Sequence, residues 1–405
     1  MLYRFLCFLT IVLPCVLSAQ EQTLRVDYIF SGTDKSAEIA LDQLSCFDGW
    51  AGRRTNMNEI PVRGNGQLCM TDMQTGDTLY RMSFSTLFQE WQTTEEATRV
   101  RKSFENVFLL PMPQSKAFVE VQLFDLHGNV SARMPHVVDP NDVMIRRMHS
   151  SPAPHKYIMV SDSPERSIDI AIVAEGYTEA EMERFYDDAT QTVIALLSHE
   201  PFGTYKDRFN FVAVALQSEE SGVSVPGKGE WKNTALKAHF DTFYMDRYLT
   251  TLHLKNLHDK LCGIPYEHII ILANTDTYGG GGIYNSYTLT TARHSSFKPV
   301  VVHEFGHSFA GLADEYFYDD QFVEYYYPEV EPWEQNITTL ADFDSKWRDM
   351  LDAGQAHLLE GAGYQSKGVY RPAEDCRMHT NKAPAFCPVC QRAISRAIEF
   401  YTKEL

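Results

Sequence analysis

Three predominantly apolar runs set the tightest limit on this chain: IDIAIVAEGY (168–177), FNFVAVAL (209–216) and HIIILAN (268–274). A strand with one wet face alternates apolar and polar residues, whereas a run without alternation needs cover on both faces. The segments between supply candidate cover. Thr178 and Glu181 form a capping-box pattern that opens a helix running to about His199. Further helices are expected over 233–251, from near Pro299, and over 391–403. Strands alternating with helices predict an α/β layer domain over 167–405.

Upstream the rhythm is different. LRVDYIF, EIALDQL, TLYRMSF, NVFLLPM and AFVEVQLFDL are short runs rich in β-branched and aromatic residues, separated by turn chemistry such as QTGD and LHGN. They predict an antiparallel β-sandwich of about seven strands over 20–148. The Ser- and Pro-rich stretch 149–166 reads as a linker.

Residues 1–19 carry one charge, Arg4, and an apolar run ending in small residues, as a cleaved secretory signal does. The run is too short for a comfortable membrane span, and no other stretch is long and apolar enough for one. Cys15 follows Pro14, a poor setting for lipid attachment, so an exported chain without a lipid anchor is expected. The net charge of −18 is spread along the chain, which argues against a nucleic-acid partner. Beyond the signal lie six cysteines: Cys46, Cys69, Cys262, Cys376, Cys387 and Cys390. Cys387-Pro-Val-Cys390 has the spacing of half a zinc knuckle or a redox pair. With no second such pair or His-rich segment beside it, a disulfide or buried thiols is the preferred reading.

The chemistry concentrates in HEFGHSFAGLADEY, residues 303–316. Residues four apart share a helix face, so His303 and His307 can address one ion, with Glu304 beside them to polarise a metal-bound water. Val302, Phe305 and Phe309 would anchor the other face. A catalytic zinc needs a third protein ligand. On a continuous helix Asp314 would lie roughly 10 Å beyond His307, out of reach of bonds of about 2 Å. Gly311 can end the helix in the left-handed conformation and turn the chain back, bringing Asp314 or Glu315 to the metal. The shorter Asp314 makes the firmer ligand. Glu315 is the alternative ligand, or a partner of a ligand histidine. Tyr316 reads as packing, with oxyanion stabilisation as its other role.

The run Gly279–Gly282 lacks the lysine of a phosphate loop. Ahead of the strand IYNSYTLTTA, it suits either a flexible loop or an edge that accepts an extended peptide. Arg371 is a candidate for a substrate carboxylate, with an ordinary salt bridge as the plainer role.

HEFGHSFAGLADEY, together with YRPAEDCRMH (370–379) and FCPVC (386–390), resembles the bacterial IgA peptidase family of zinc metallopeptidases. The resemblance runs through 166–405 and includes the preceding β domain. It implies a metzincin-like catalytic domain hydrolysing peptide bonds with a zinc-bound water. It also implies His303, His307 and Asp314 as ligands of one zinc ion, and Glu304 as base. Ordinary metzincins place the glycine and third ligand one position earlier, as a helix shorter by one residue would. Met378, inside Cys376-Arg377-Met378-His379, matches the methionine turn that floors such a site, and His379 is not expected to be a ligand. The whole is expected to be an exported zinc endopeptidase with a polypeptide substrate and no transmembrane segment. A rival reading is a non-catalytic surface protein- or glycan-binding protein with a structural metal. Glu304 speaks against it, because a structural site needs no base.

Overall fold

The computed structural model describes residues 21–149, 151–319 and 325–403. The expected signal segment and Cys15 lie outside them. No helix among the described residues is long and apolar enough to cross a membrane.

The N-terminal part is β-rich. One sheet contains Gln22–Thr33, Ser36–Asp48, Lys102–Pro111 and Arg146–Arg147; the other contains Gly66–Asp72, Thr78–Phe84, Ala117–Phe124 and Val130–Val138. Strict alternation turns Leu24, Val26, Tyr28 and Phe30 of one sheet inward, opposite Val119, Val121 and Leu123 of the other, all fully buried. The Tyr28 hydroxyl meets His136 Nε2 at 2.6 Å, and the Phe84 and Phe108 rings lie 4.5 Å apart. Two of these strands, Gly66–Asp72 and Val130–Val138, carry no strong run in the sequence. The second holds Pro135, which is tolerated because this strand is at the sheet edge.

The second part is built on a six-stranded sheet in the order Gly280–Ile283, Tyr287–Thr291, His268–Ala273, Ile168–Glu175, Phe209–Val214, His155–Met159. The four inner strands are parallel and the two edge strands antiparallel. The three apolar runs are adjacent in its centre, and every residue of Phe209–Val214 and His268–Ala273 is buried. The edge strand His155–Met159 comes from the stretch expected to be a linker.

The three long helices cover one face. Ile168, Ile170 and Ile172 share a core with Met182–Leu197, Phe297–Ala310 and Pro388–Thr402. The opposite face, with Ala171, Val173, Ile269 and Ile271, joins the core of the β-rich part and of the loop around Leu236 and Phe240. The helix expected over 233–251 does not form. Lys237, Asp241, Phe243 and Tyr244 all have positive φ, which a right-handed helix excludes. The Thr178–Glu181 capping box is present. Polar contacts reinforce the union of the two parts: Arg25 Nη1 to Asp259 at 2.5 Å, Asn285 Nδ2 to the Ser83 carbonyl and Trp333 Nε1 to Asn65 Oδ1 at 2.7 Å each.

Candidate metal centre

The helix Phe297–Ala310 buries Val301, Val302, Phe305 and Phe309 against the sheet, with the last two rings stacked at 5.1 Å. Its opposite side is polar, and His303, Glu304 and His307 bring their ligand atoms within 4.8 Å of one another. Gly311 ends the helix at φ 60° and ψ 39°, its N–H bonding to the His307 carbonyl at 3.0 Å while Leu312 N bonds to Gly306 O. The chain then reverses as the distance argument required. Asp314 Oδ1 arrives 3.0 Å from His303 Nε2 and 3.3 Å from His307 Nε2, and the two Nε2 atoms are 3.0 Å apart.

Hydrogen bonding sets the tautomers. His303 Nδ1 lies 2.9 Å from the Arg377 carbonyl and His307 Nδ1 2.5 Å from the Leu312 carbonyl. Carbonyl oxygens only accept, so both Nδ1 atoms carry protons and a neutral ring keeps a lone pair on Nε2. Three acceptor atoms therefore converge, and buried Asp314 Oδ1 has no hydrogen-bond donor. Positive charge must lie among them. Although burial opposes a charged imidazole, Asp314 holds the His307 pKa up to about 9. Asp314 itself sits well below the usual carboxylate range, drawn down by the two histidines against its burial. For bonds of about 2.0 Å, the edges of a tetrahedral site are about 3.3 Å, close to these separations. The donor set thus fits a divalent cation. Burial and Asp314 raise Glu304, a direction that suits a group receiving a proton, while the histidines and Arg247 lower it.

Glu315 turns the other way. Fully buried, it accepts from Asn336 Nδ2 at 3.0 Å and lies 3.1 Å from Cys390 Sγ, in a ligand-atom group separate from that of His303, Glu304 and His307. Met378 is buried with its Sδ against Gly306, between the two histidines on the helix, where an added Cβ would come within 2.9 Å of the sulfur. His379 bonds to the Glu374 carbonyl instead of joining the cluster. Arg371 Nη1 donates to the Glu360 and Gly361 carbonyls at 3.0 and 2.6 Å. Tyr316 is half-buried, 5.9 Å from the Arg247 guanidinium.

The glycine run is itself the edge strand, not a loop before one. A Cβ on Gly282 would fall 2.2 Å from the Glu304 carbonyl oxygen, and one on Gly280 2.9 Å from Glu304 Oε1. Absent side chains let the strand lie flat on the motif helix. Its outer edge is taken up at Gly280, whose N–H and C=O meet Arg247 O and Leu249 N at 3.3 and 3.5 Å. Strand addition at that residue is closed.

Two residues without a sequence signal complete the surroundings. Tyr364, at φ 68° after Gly363, donates its hydroxyl to Asp314 Oδ2. From the β-rich part, Glu90 accepts from the Tyr248 hydroxyl, and burial pushes Glu90 up to about 7. Tyr248 in turn packs on Gly281.

Paired imidazoles, a convergent carboxylate and a neighbouring glutamate define a metal-dependent hydrolase type of centre. The IgA peptidase M64 family matches residues 158–357 and 356–398, and the peptidase M64 N-terminus matches 18–134. This chain belongs to the IgA peptidase M64 family. It is accordingly a metallopeptidase: a hydrolase of peptide bonds that uses a metal and acts on polypeptides. No curated protein matched the chain.

Proposed function

We propose that the chain is an exported zinc endopeptidase of extracellular proteins, with His303, His307 and Asp314 as metal ligands and Glu304 as general base. The observation that carries this reading is the convergence of three acceptor atoms at 3.0–3.3 Å, beside Glu304. Zinc held there would polarise both the attacking water and the scissile carbonyl. Glu304 takes the water proton as the carbon–oxygen bond forms and the carbon becomes tetrahedral, then returns it to the amine nitrogen, whose protonation lets the carbon–nitrogen bond break. Arg377 and Leu312 carbonyls hold the imidazoles in the binding tautomer, and Tyr364 fixes the second oxygen of Asp314.

The division into a β-sandwich module over 20–148 and a metzincin-like catalytic part over 167–405 belongs to the same proposal. It is supported by the helix, glycine turn and third ligand, with Met378 beneath them. Export rests on the signal-like residues 1–19. Glycosylated and immunoglobulin-like proteins are the first substrates to try. The test is digestion of a peptide library by zinc-loaded wild type and Glu304→Ala. Cleavage should fall by about 10²–10⁴-fold in the variant. Equal cleavage by the two proteins refutes the assignment of the base.

A further inference from the structure

Behind the catalytic residues lies a second group of ligand atoms. Glu315, Cys376, Cys387 and Cys390 are all buried, the least so only 4 % exposed, and their ligand atoms lie within 4.8 Å of one another. Cys376 Sγ is 3.7 Å from Cys390 Sγ. Glu315 Oε1 is 3.1 Å from Cys390 Sγ and 3.9 Å from Cys387 Sγ. We propose that these four side chains form a closed structural site for a thiophilic divalent cation, zinc above all, separate from the catalytic metal.

The distances are those of such a site. With zinc–sulfur bonds of about 2.3 Å and zinc–oxygen bonds of about 2.0 Å, tetrahedral edges are about 3.8 Å between sulfurs and about 3.5 Å between sulfur and oxygen. The backbone is arranged for thiolates. Met378 N and Cys387 N point at Cys376 Sγ, at 3.5 and 3.2 Å, and Cys390 N points at Cys387 Sγ at 3.5 Å. Cys387 caps the helix Pro388–Thr402, where the helix end favours negative charge. Most telling is Glu315, a fully buried carboxylate whose Oε2 has no hydrogen-bond partner. Among the described residues, its carboxylate is met by Asn336 and the thiols. A buried carboxylate among sulfurs calls for a cation, and four protein donors leave no position open for catalysis. Binding releases to solvent whatever protons the thiols and the Glu315 carboxyl carry, as the sulfurs and the carboxylate become ligands.

Placement explains what the site would do. Glu315 follows Asp314 directly and its N–H bonds to the Met378 carbonyl at 2.9 Å. Cys376 precedes Arg377, whose carbonyl orients His303. The cation would pin both segments that shape the catalytic centre from below.

The test uses full-length chain in two states. Wild type loaded with cobalt(II) under a non-thiol reductant should show the near-ultraviolet thiolate-to-cobalt charge-transfer absorption, which the sulfur-free His303/His307/Asp314 centre does not produce. Elemental analysis of zinc-loaded protein should find about two ions per chain. About one should remain in a His303→Ala/His307→Ala double variant, which keeps the cobalt band, and about one in Cys390→Ser, which loses it. The wild-type spectrum decides even if Cys390→Ser does not fold. In the second state, unreduced protein is denatured and alkylated. Modified Cys376, Cys387 and Cys390 are expected. A Cys376–Cys390 cross-linked peptide, or about one zinc per chain with no band, overturns the proposal. Either result leaves the proposed catalytic centre standing, because that centre contains no thiol.

Discussion

At the scale of single residues, the proposed catalytic centre depends on how its donors are held. Tyr364 reaches Asp314 from 50 residues away in sequence. Replacing it with Phe removes a hydrogen bond while keeping the ring that lies 5.4 Å from Tyr316. The expected outcome for Tyr364→Phe is metal affinity lowered by about 10–100-fold, measured by competition with a chelator, with the fold intact by circular dichroism. His303, Glu304 and His307 were legible because one helix turn suffices to align them. The return of Asp314 or Glu315 toward the helix was legible because a bond length excluded the straight path and Gly311 allowed a turn. Tyr364 and the arrangement of Cys376 with Glu315 were not, since their proximity is created by tertiary folding. Cys387-Pro-Val-Cys390 carried a knuckle-like spacing, but its partners come from a carboxylate and a lone cysteine, which no spacing rule combines.

At the scale of elements, the glycine edge strand and the motif helix are a matched pair. Gly282→Ala would drive a methyl group toward the Glu304 carbonyl and within 3.0 Å of His307 Cβ. Such overpacking is expected to cost about 1–3 kcal/mol and to lower turnover, checked by urea unfolding and peptide cleavage. Gly311→Ala adds strain at positive φ and meets Trp333 at 2.4 Å, so it should lower stability and metal affinity together, in a melt with and without zinc. Strong periodicity made most strands and the capping-box helix readable. The segment 233–251 misled because its apolar residues, Leu236, Ala238, Phe240 and Leu249, do pack into the core. They do so from an irregular path through four left-handed residues, which burial statistics along a sequence do not reveal.

For the whole molecule, the central sheet borrows its second cover from the β-rich part. One cooperative unfolding transition is therefore expected by calorimetry for the full chain. A fragment beginning at residue 167 loses both that cover and the edge strand His155–Met159, and should be aggregation-prone. The same packing gives two buried histidines an acid-sensitive contribution to stability. Burial lowers His258 and His268 from 6.5 to about 3. Between those values the unfolded chain binds more protons than the folded one. The stability that these two histidines contribute is fully present above about pH 6.5 and is lost as pH falls toward 3, against the opposite contribution of buried carboxyls such as Glu90 and Asp169, whose pKa values burial raises. Between pH 7 and pH 5 the urea midpoint of wild type should shift downward relative to that of His268→Leu, which lacks this titration.

The contact between Glu90 and Tyr248 has a consequence for how this enzyme could diversify. One wall beside the edge strand is jointly owned: its tyrosine comes from the peptidase part and its acid from the β-rich part. Exchanging the N-terminal part between relatives would then alter the packing on the glycine strand that lies against Glu304, not merely an attachment. Selectivity could drift through changes in a region that contributes no ligand.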